Sequence, residues 1–279
     1  MDIEAPRDRA ASEENNMSEQ RDYPDLRGRR VVIPGGTGSV GEGIVRAYLR
    51  SGAEVVVPSR SERRAEGFRA LLEDEPGRDR LHLVVGDYLT LDGAQRLADR
   101  VVESLGEVSD AVATIGGWWA GQPLWAASAQ AWETHFVSLA TAHLATAQAW
   151  LPRIGAEGAY QVIGGLSAVK PVPGSGIVSM QQAALVMQSK VLAAEAGGQR
   201  RIFQHLYGPV NNRNRPYADP SWNSADDAGL LCATLSANTW VPSDTFGLSD
   251  RTQMAEVMAQ ISAPARDGET AAATSGDAK

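Results

Sequence analysis

The chain has 279 residues, 43% of them hydrophobic, enough to bury one substantial core, and its formal net charge of −8 argues against a nucleic-acid or anionic-membrane partner. The lone Cys232 excludes an intramolecular disulfide, and its apolar setting suits helix core better than a nucleophile. No run approaches about 18 uninterrupted apolar residues and the N-terminus lacks an apolar core for secretion, so a soluble cytoplasmic protein is expected.

Residues 1–27 are rich in Glu, Asp, Arg, Asn and Ser and read as a disordered tail, as do residues 263–279; the folded domain is expected over 28–262. Val31, Val32 and Ile33 form a first strand that runs through Pro34 into the glycine-rich stretch Gly35-Gly36-Thr37-Gly38-Ser39-Val40-Gly41. A helix follows, marked by Val40, Ile44, Val45 and Tyr48 at helical spacing and stopped by Gly52. A strand, a glycine turn and a helix N-terminus together cradle a pyrophosphate, because glycines let the backbone approach the anion and the first free N–H groups face it. The spacing G-x-x-G-x-x-G is a weak signal alone, and its strand-to-helix context strengthens it. Gly35, Thr37, Gly38, Ser39, Val40 and Gly41 are the candidate contacts.

Further strands are predicted at Glu54–Val57, Leu81–Val85, Ala111–Ile115, Tyr160–Ile163 and Ile202–Tyr207, with a last one near Trp240. Helices are predicted around Ala94–Val102, Ala129–Leu151 (closed by Pro152), Ser179–Ala196 and Ala225–Ser236. This alternation means a single Rossmann-type α/β domain with a doubly wound parallel sheet. Ligands of such sheets lie across the carboxyl ends of the strands. At the second strand end stand Ser59 and Arg60, with Arg63 and Arg64 behind; these suit the 2′-phosphate of NADP better than the bare ribose of NAD. Asp87 is placed to meet an adenine amino group, and Gly116 follows the fourth strand. No His or Cys spacing suggests a metal, no G-x-S-x-G elbow occurs, and the G-x-x-x-x-G-K-[ST] phosphate loop is missing.

From Gly28 to Val241 this pattern resembles the short-chain dehydrogenase/reductase superfamily, and most of all its branch around dihydropteridine reductase. The closer likeness rests on Ile115-Gly116-Gly117-Trp118-Trp119-Ala120-Gly121, on His143-Leu144-Ala145-Thr146, on Pro173-Gly174, and on Pro209-Val210 with Asn214-Arg215 and Ala218-Asp219-Pro220-Ser221-Trp222. The resemblance implies a catalytic Tyr-x-x-x-Lys, with a Ser and an Asn. Here Val178 falls at the tyrosine position, Gln182 at the lysine, Gly165 at the serine and Ser138 at the asparagine. Valine transfers no proton, and glutamine carries no charge to lower a neighbour's pKa. The resemblance also implies a homodimer or homotetramer paired through the fourth and fifth helices.

Such a pocket suits a substrate that accepts hydride without a protein acid: a planar quinonoid or conjugated ring. Trp118, Trp119, Tyr207 and Trp222 are the expected substrate contacts, and Ser138, Ser167 and Gln182 the expected catalytic hydrogen-bond donors. Two other readings stay open. One is a non-redox isomerase, dehydratase or cyclase using His205, Tyr207, His135 or His143 as acid or base. The other is a non-catalytic cofactor-sensing or partner subunit.

Overall fold

The computed structural model describes residues 21–215 and 217–263, so the tail expectations for 1–20 and for 264–279 lie outside the described residues. Seven parallel strands form the sheet: β1 (Arg30–Val32), β2 (Glu54–Ser59), β3 (Leu81–Val85), β4 (Asp110–Ala113), β5 (Ala159–Gly165), β6 (Arg201–Tyr207) and β9 (Asp244–Leu248), in the order β3-β2-β1-β4-β5-β6-β9. A short pair, β7 (Val210–Asn211) and β8 (Asn223–Ser224), brackets the loop beyond β6. The helices are α1 (Gly41–Arg50), α2 (Glu62–Leu71), α3 (Leu91–Leu105), α4 (Ala129–Trp132), α5 (Ser138–Trp150), α6 (Gly176–Ala196), α7 (Ala225–Ala237) and α8 (Arg251–Ser262).

Both faces of the sheet are covered, as a parallel sheet requires. Val55 and Val57 pack with Tyr48, Phe68, Leu231 and Met254, so α1, α2, α7 and α8 lie on one side. Val32 and Val56 face the other way, towards Leu97, Val101, Ala145, Trp150 and Leu185 of α3, α5 and α6. The continuous run Val55-Val56-Val57 is thus buried on both faces, which explains its lack of alternation. Strand direction brings the carboxyl ends of β1, β4, β5 and β6 to one edge, where the sheet order reverses beside β1.

The sequence reading needs correction at four places. Residues 21–26, expected as tail, are held in the fold. Leu26 is 1% exposed, its N–H donates to Ser51 O at 2.7 Å, and Arg21 pairs with Asp227 at 2.8 Å. Part-buried ion pairs tie this polar segment down, and composition does not show them. The last strand is Asp244–Leu248 rather than near Trp240, since pairing resumes only beyond Pro242. Helices α2 and α8 bury only Ala65 with Phe68 and Met254 with Ile261, too few apolar positions to register as a period. The long fourth helix is interrupted by a π-helical turn, Glu133–Val137, between α4 and α5.

Candidate active-site cleft

The glycine turn packs onto the end of β4. Gly35 has φ +85°, and a Cβ there would stand 2.6 Å from Thr114 O; a Cβ on Gly41 would stand 2.6 Å from Gly35 O. Helix α1 starts without a side-chain cap, and the N–H groups of Ser39, Val40 and Gly41 have no hydrogen-bond partner among the described residues. The Thr114 hydroxyl, just beneath, is buried and likewise unpartnered. Open donors at an uncapped helix N-terminus make an anion site.

This turn forms one end of a cleft of about 880 Å³. Its walls are mostly apolar: Ile115 and Trp118 after β4, Ile163 and Leu166 at the end of β5, Val178 on α6, Pro209 and Val210 after β6. Of the expected contacts, Gly38, Ser39, Val40, Gly41, Gly116, Trp118, Ser167, Gln182 and Tyr207 line it. Gly35 supports the turn from below.

The remaining candidates sit elsewhere. Ser59 is buried, and its hydroxyl donates to Ser61 O at 3.0 Å. Arg60 is exposed beyond β2; with Arg64 it acts on the phenol of Tyr88, which burial holds above its usual range. Asp87 closes its own turn, accepting from Leu89 N–H at 2.8 Å and from the Thr90 hydroxyl, and these bonds keep its carboxyl below the usual range despite partial desolvation. Thr37 is half-buried in the turn.

Three expectations fail on geometry. Ser138 is exposed and does not line the cleft, because the π turn adds a residue just before it and rotates the start of α5 by about 100°. Trp119 turns away towards His135, ring centroids 6.3 Å apart. Trp222 stays behind the wall, with the Arg215 guanidinium 5.0 Å above its ring and Tyr217 beside it.

Gln182 lines the cleft, but its polar atoms are engaged: Oε1 accepts from Gly165 N–H at 2.8 Å, and Nε2 donates to Gln181 Oε1 at 2.8 Å. Ser167 Oγ makes no hydrogen bond to a described residue. The Tyr207 hydroxyl is buried without a partner, and desolvation raises its pKa well above the ordinary value. Two of the histidines offered as alternative acids are bonded inside the core. His143 Nε2 donates to Ile115 O at 2.7 Å, and burial lowers its pKa to about 4. His205 bonds Gln161 Oε1 at 3.1 Å inside the core, and burial lowers it to about 3. His135 lies on the π turn, and none of the three lines the cleft.

Lys170 is absent from the sequence reading, and Arg215 enters it only within the loop that carries the family resemblance. Lys170 and Arg215 both line the cleft. The loop bearing Arg215 is clamped onto α1, where Arg213 meets the buried carboxylate of Glu42 and Asn214 Nδ2 donates to Ser39 Oγ. No local pattern announces contacts between partners so distant in the chain. Among the described residues no cluster of His, Cys, Asp or Glu is placed to hold a metal ion, and no helix is long and apolar enough to cross a membrane.

Sheet order, glycine turn and cleft together define a Rossmann-type α/β protein. A family model described as enoyl-(acyl carrier protein) reductase matches residues 35–207. The chain belongs to the short-chain dehydrogenase/reductase superfamily of oxidoreductases, whose members bind nicotinamide cofactors. It is 33% identical over 102 residues to 3β-hydroxysteroid dehydrogenase 2 of Eggerthella lenta, a match spanning 36% of this chain and only 38% of that protein. In fold it is similar to a short-chain dehydrogenase/reductase from Mycobacterium ulcerans (TM-score 0.74, 18% identity, 83% of this chain and 91% of that one). It is also similar to an NADPH-bound short-chain oxidoreductase of Pseudomonas aeruginosa PAO1, described as containing an atypical catalytic centre (TM-score 0.72, 22% identity, 81% of this chain and 97% of that one).

Proposed function

We propose that the protein is an NADP(H)-dependent reductase of a planar, easily reduced small molecule, working without a protein acid of the Tyr/Lys type. The observation that carries this reading is the pairing of an open anion cradle with a cleft whose residues at the expected proton-donor positions are Val178 and a hydrogen-bonded Gln182. The free N–H groups of Ser39, Val40 and Gly41 would hold the pyrophosphate, and Arg60 with Arg64 would meet a 2′-phosphate. NADPH, when bound, supplies the hydride. The chain's own part is positioning: Trp118 offers a flat apolar surface, the walls exclude water, and Ser167 provides a hydroxyl. The NADPH-bound Pseudomonas structure with its atypical centre supports the same combination.

General acid catalysis contributes about 10²–10⁴-fold, so an ordinary ketone is a poor substrate here, while a quinonoid ring that gains aromaticity on reduction needs no such help. Of the tryptophans on which the likeness to the dihydropteridine-reductase branch rests, Trp118 lines the cleft and points the same way. Titration with NADPH and NADH, followed by nicotinamide absorbance with a quinonoid pterin and simple quinones, tests the reading. Product formed with NADPH untouched would favour a non-redox enzyme, and tight binding without turnover a cofactor sensor or partner subunit. We further propose a homodimer or homotetramer joined through α5 and α6, where Leu144, Met180, Met187 and Val191 stand exposed. Light scattering on purified protein checks this.

A further inference from the structure

The cleft is mostly apolar and carries charged side chains at two points. Among its lining residues there is no Asp, Glu or His, and the only charged side chains are Lys170 and Arg215. Neither cation forms an ion pair with a described residue. The carboxylate of Asp250 feels the Lys170 charge, yet its oxygens are committed to Ser249 Oγ at 2.7 Å and to the N–H groups of Thr252 and Gln253, where they cap α8. Arg215 is held in place rather than loose: Nε donates to Val210 O at 2.8 Å and the guanidinium lies over Trp222, which leaves both terminal nitrogens without a partner among the described residues.

Topology separates both cations from the arginines proposed for the 2′-phosphate, while Asn214 ties the loop that carries Arg215 to Ser39 of the glycine turn. Lys170 follows β5, and Arg215 follows β7 beyond β6, whereas Arg60 and Arg64 follow β2 on the other side of β1 and β4. The pyrophosphate already has the open N–H groups of the glycine turn. A mostly apolar cleft with two cations that form no ion pair with a described residue attracts an anion, and charge-assisted hydrogen bonds are the strong ones.

We propose that Lys170 and Arg215 bind an ionised carboxylate on the substrate, so that the protein's substrate is a planar acid: a conjugated or aromatic ring seated against the apolar wall with its acid group between these two side chains. This rests on the reading of the cleft as a reductase site and adds the chemical class of the molecule reduced.

The test compares 2-naphthoate with 2-naphthamide, two flat probes that differ in one charge, by calorimetry on the full chain with and without NADP⁺. Naphthoate is expected to bind at least about tenfold more tightly, with the difference shrinking as NaCl is raised. Lys170→Met and Arg215→Met should each erase most of that preference and leave naphthamide affinity unchanged, Lys170→Met should also leave NADPH affinity and Tm unchanged, and Lys170→Arg should retain the preference. Equal binding of the two probes, or a preference that survives both Met variants, overturns the proposal. So does a fall in NADPH affinity in both variants, which would give the cations to the nucleotide. A naphthoate preference in a protein that binds no NADPH would overturn the cofactor reading alone and leave the acid site standing.

Discussion

Gln182 Oε1 accepts a hydrogen bond from the Gly165 N–H at 2.8 Å, tying the first half of α6 to the last residue of β5. These are the two positions at which the superfamily resemblance expects a lysine and a serine. The pair therefore holds the cleft wall together, and a Cβ on the neighbouring Gly164 would come within 2.7 Å of the same Oε1. Gln182→Ala should cost about 1–3 kcal/mol in urea unfolding, the penalty for leaving a part-buried N–H unpaired. Turnover of a quinone per folded molecule should change little. A rate loss of about 100-fold with stability unchanged would show instead that Gln182 acts on the substrate.

The glycine turn predicts a sharper effect on binding than on folding. Gly38 has negative φ and lines the cleft, with a Cβ meeting only Gly35 O at 3.1 Å. Gly38→Val should lower stability by about 1–2 kcal/mol while raising the NADPH Kd by about tenfold or more, because its methyls occupy the cradle. Joint replacement of Arg60 and Arg64 by Ala should weaken NADPH by about tenfold or more and leave NADH unchanged, as titration of both nucleotides would reveal.

The loop clamped on α1 makes a kinetic prediction. Glu42 is buried against Arg46 and receives Arg213 from residues 212–215. Because Arg213 is substantially exposed, Arg213→Ala should alter stability by less than about 1 kcal/mol. Stopped-flow measurement should nevertheless find NADPH leaving several-fold faster, since the loop loses its seat over the pyrophosphate. An unchanged dissociation rate would mean that the loop does not cover the nucleotide.

Two buried histidines contribute to the loss of stability in acid. His143 and His205 are pushed by burial to about 4 and about 3. Their folded values lie below the unfolded one, so the unfolded chain binds protons first as pH falls. Their contribution is complete above pH about 6.5 and is lost progressively below it, at up to about 1.4 kcal/mol per pH unit for each group. His143→Gln retains an N–H for Ile115 O and should flatten the decline in unfolding free energy between pH 6.5 and 4 by about one proton. An identical slope would contradict the buried, neutral state.

Much of this architecture was legible in the sequence. β3 was placed at its observed limits, and the glycine turn was read from the strand before it and the helix after it. Side-chain directions that depend on distant packing are not legible in the local sequence. The tryptophans after β4 form one dipeptide, yet Trp118 lines the cleft and Trp119 turns towards His135. Ser138 was misjudged because a single extra residue in the π turn is invisible to a helical period. Arg21 owes its place to acids of α7 far along the chain, which no local composition records. Lys170 carries no motif, and Arg215 is legible only as part of the loop beyond β6; the acid-free wall around them gives both their meaning.

The central claim is hydride transfer without a protein acid, and the most direct test follows NADPH absorbance in the presence of two acceptors, a quinonoid pterin and a simple aryl ketone, matched in concentration. The account predicts steady oxidation of NADPH with the quinonoid acceptor and a rate with the ketone lower by about 10²-fold or more. Equal rates with the two acceptors, or tight NADPH binding with no oxidation by either, would contradict it.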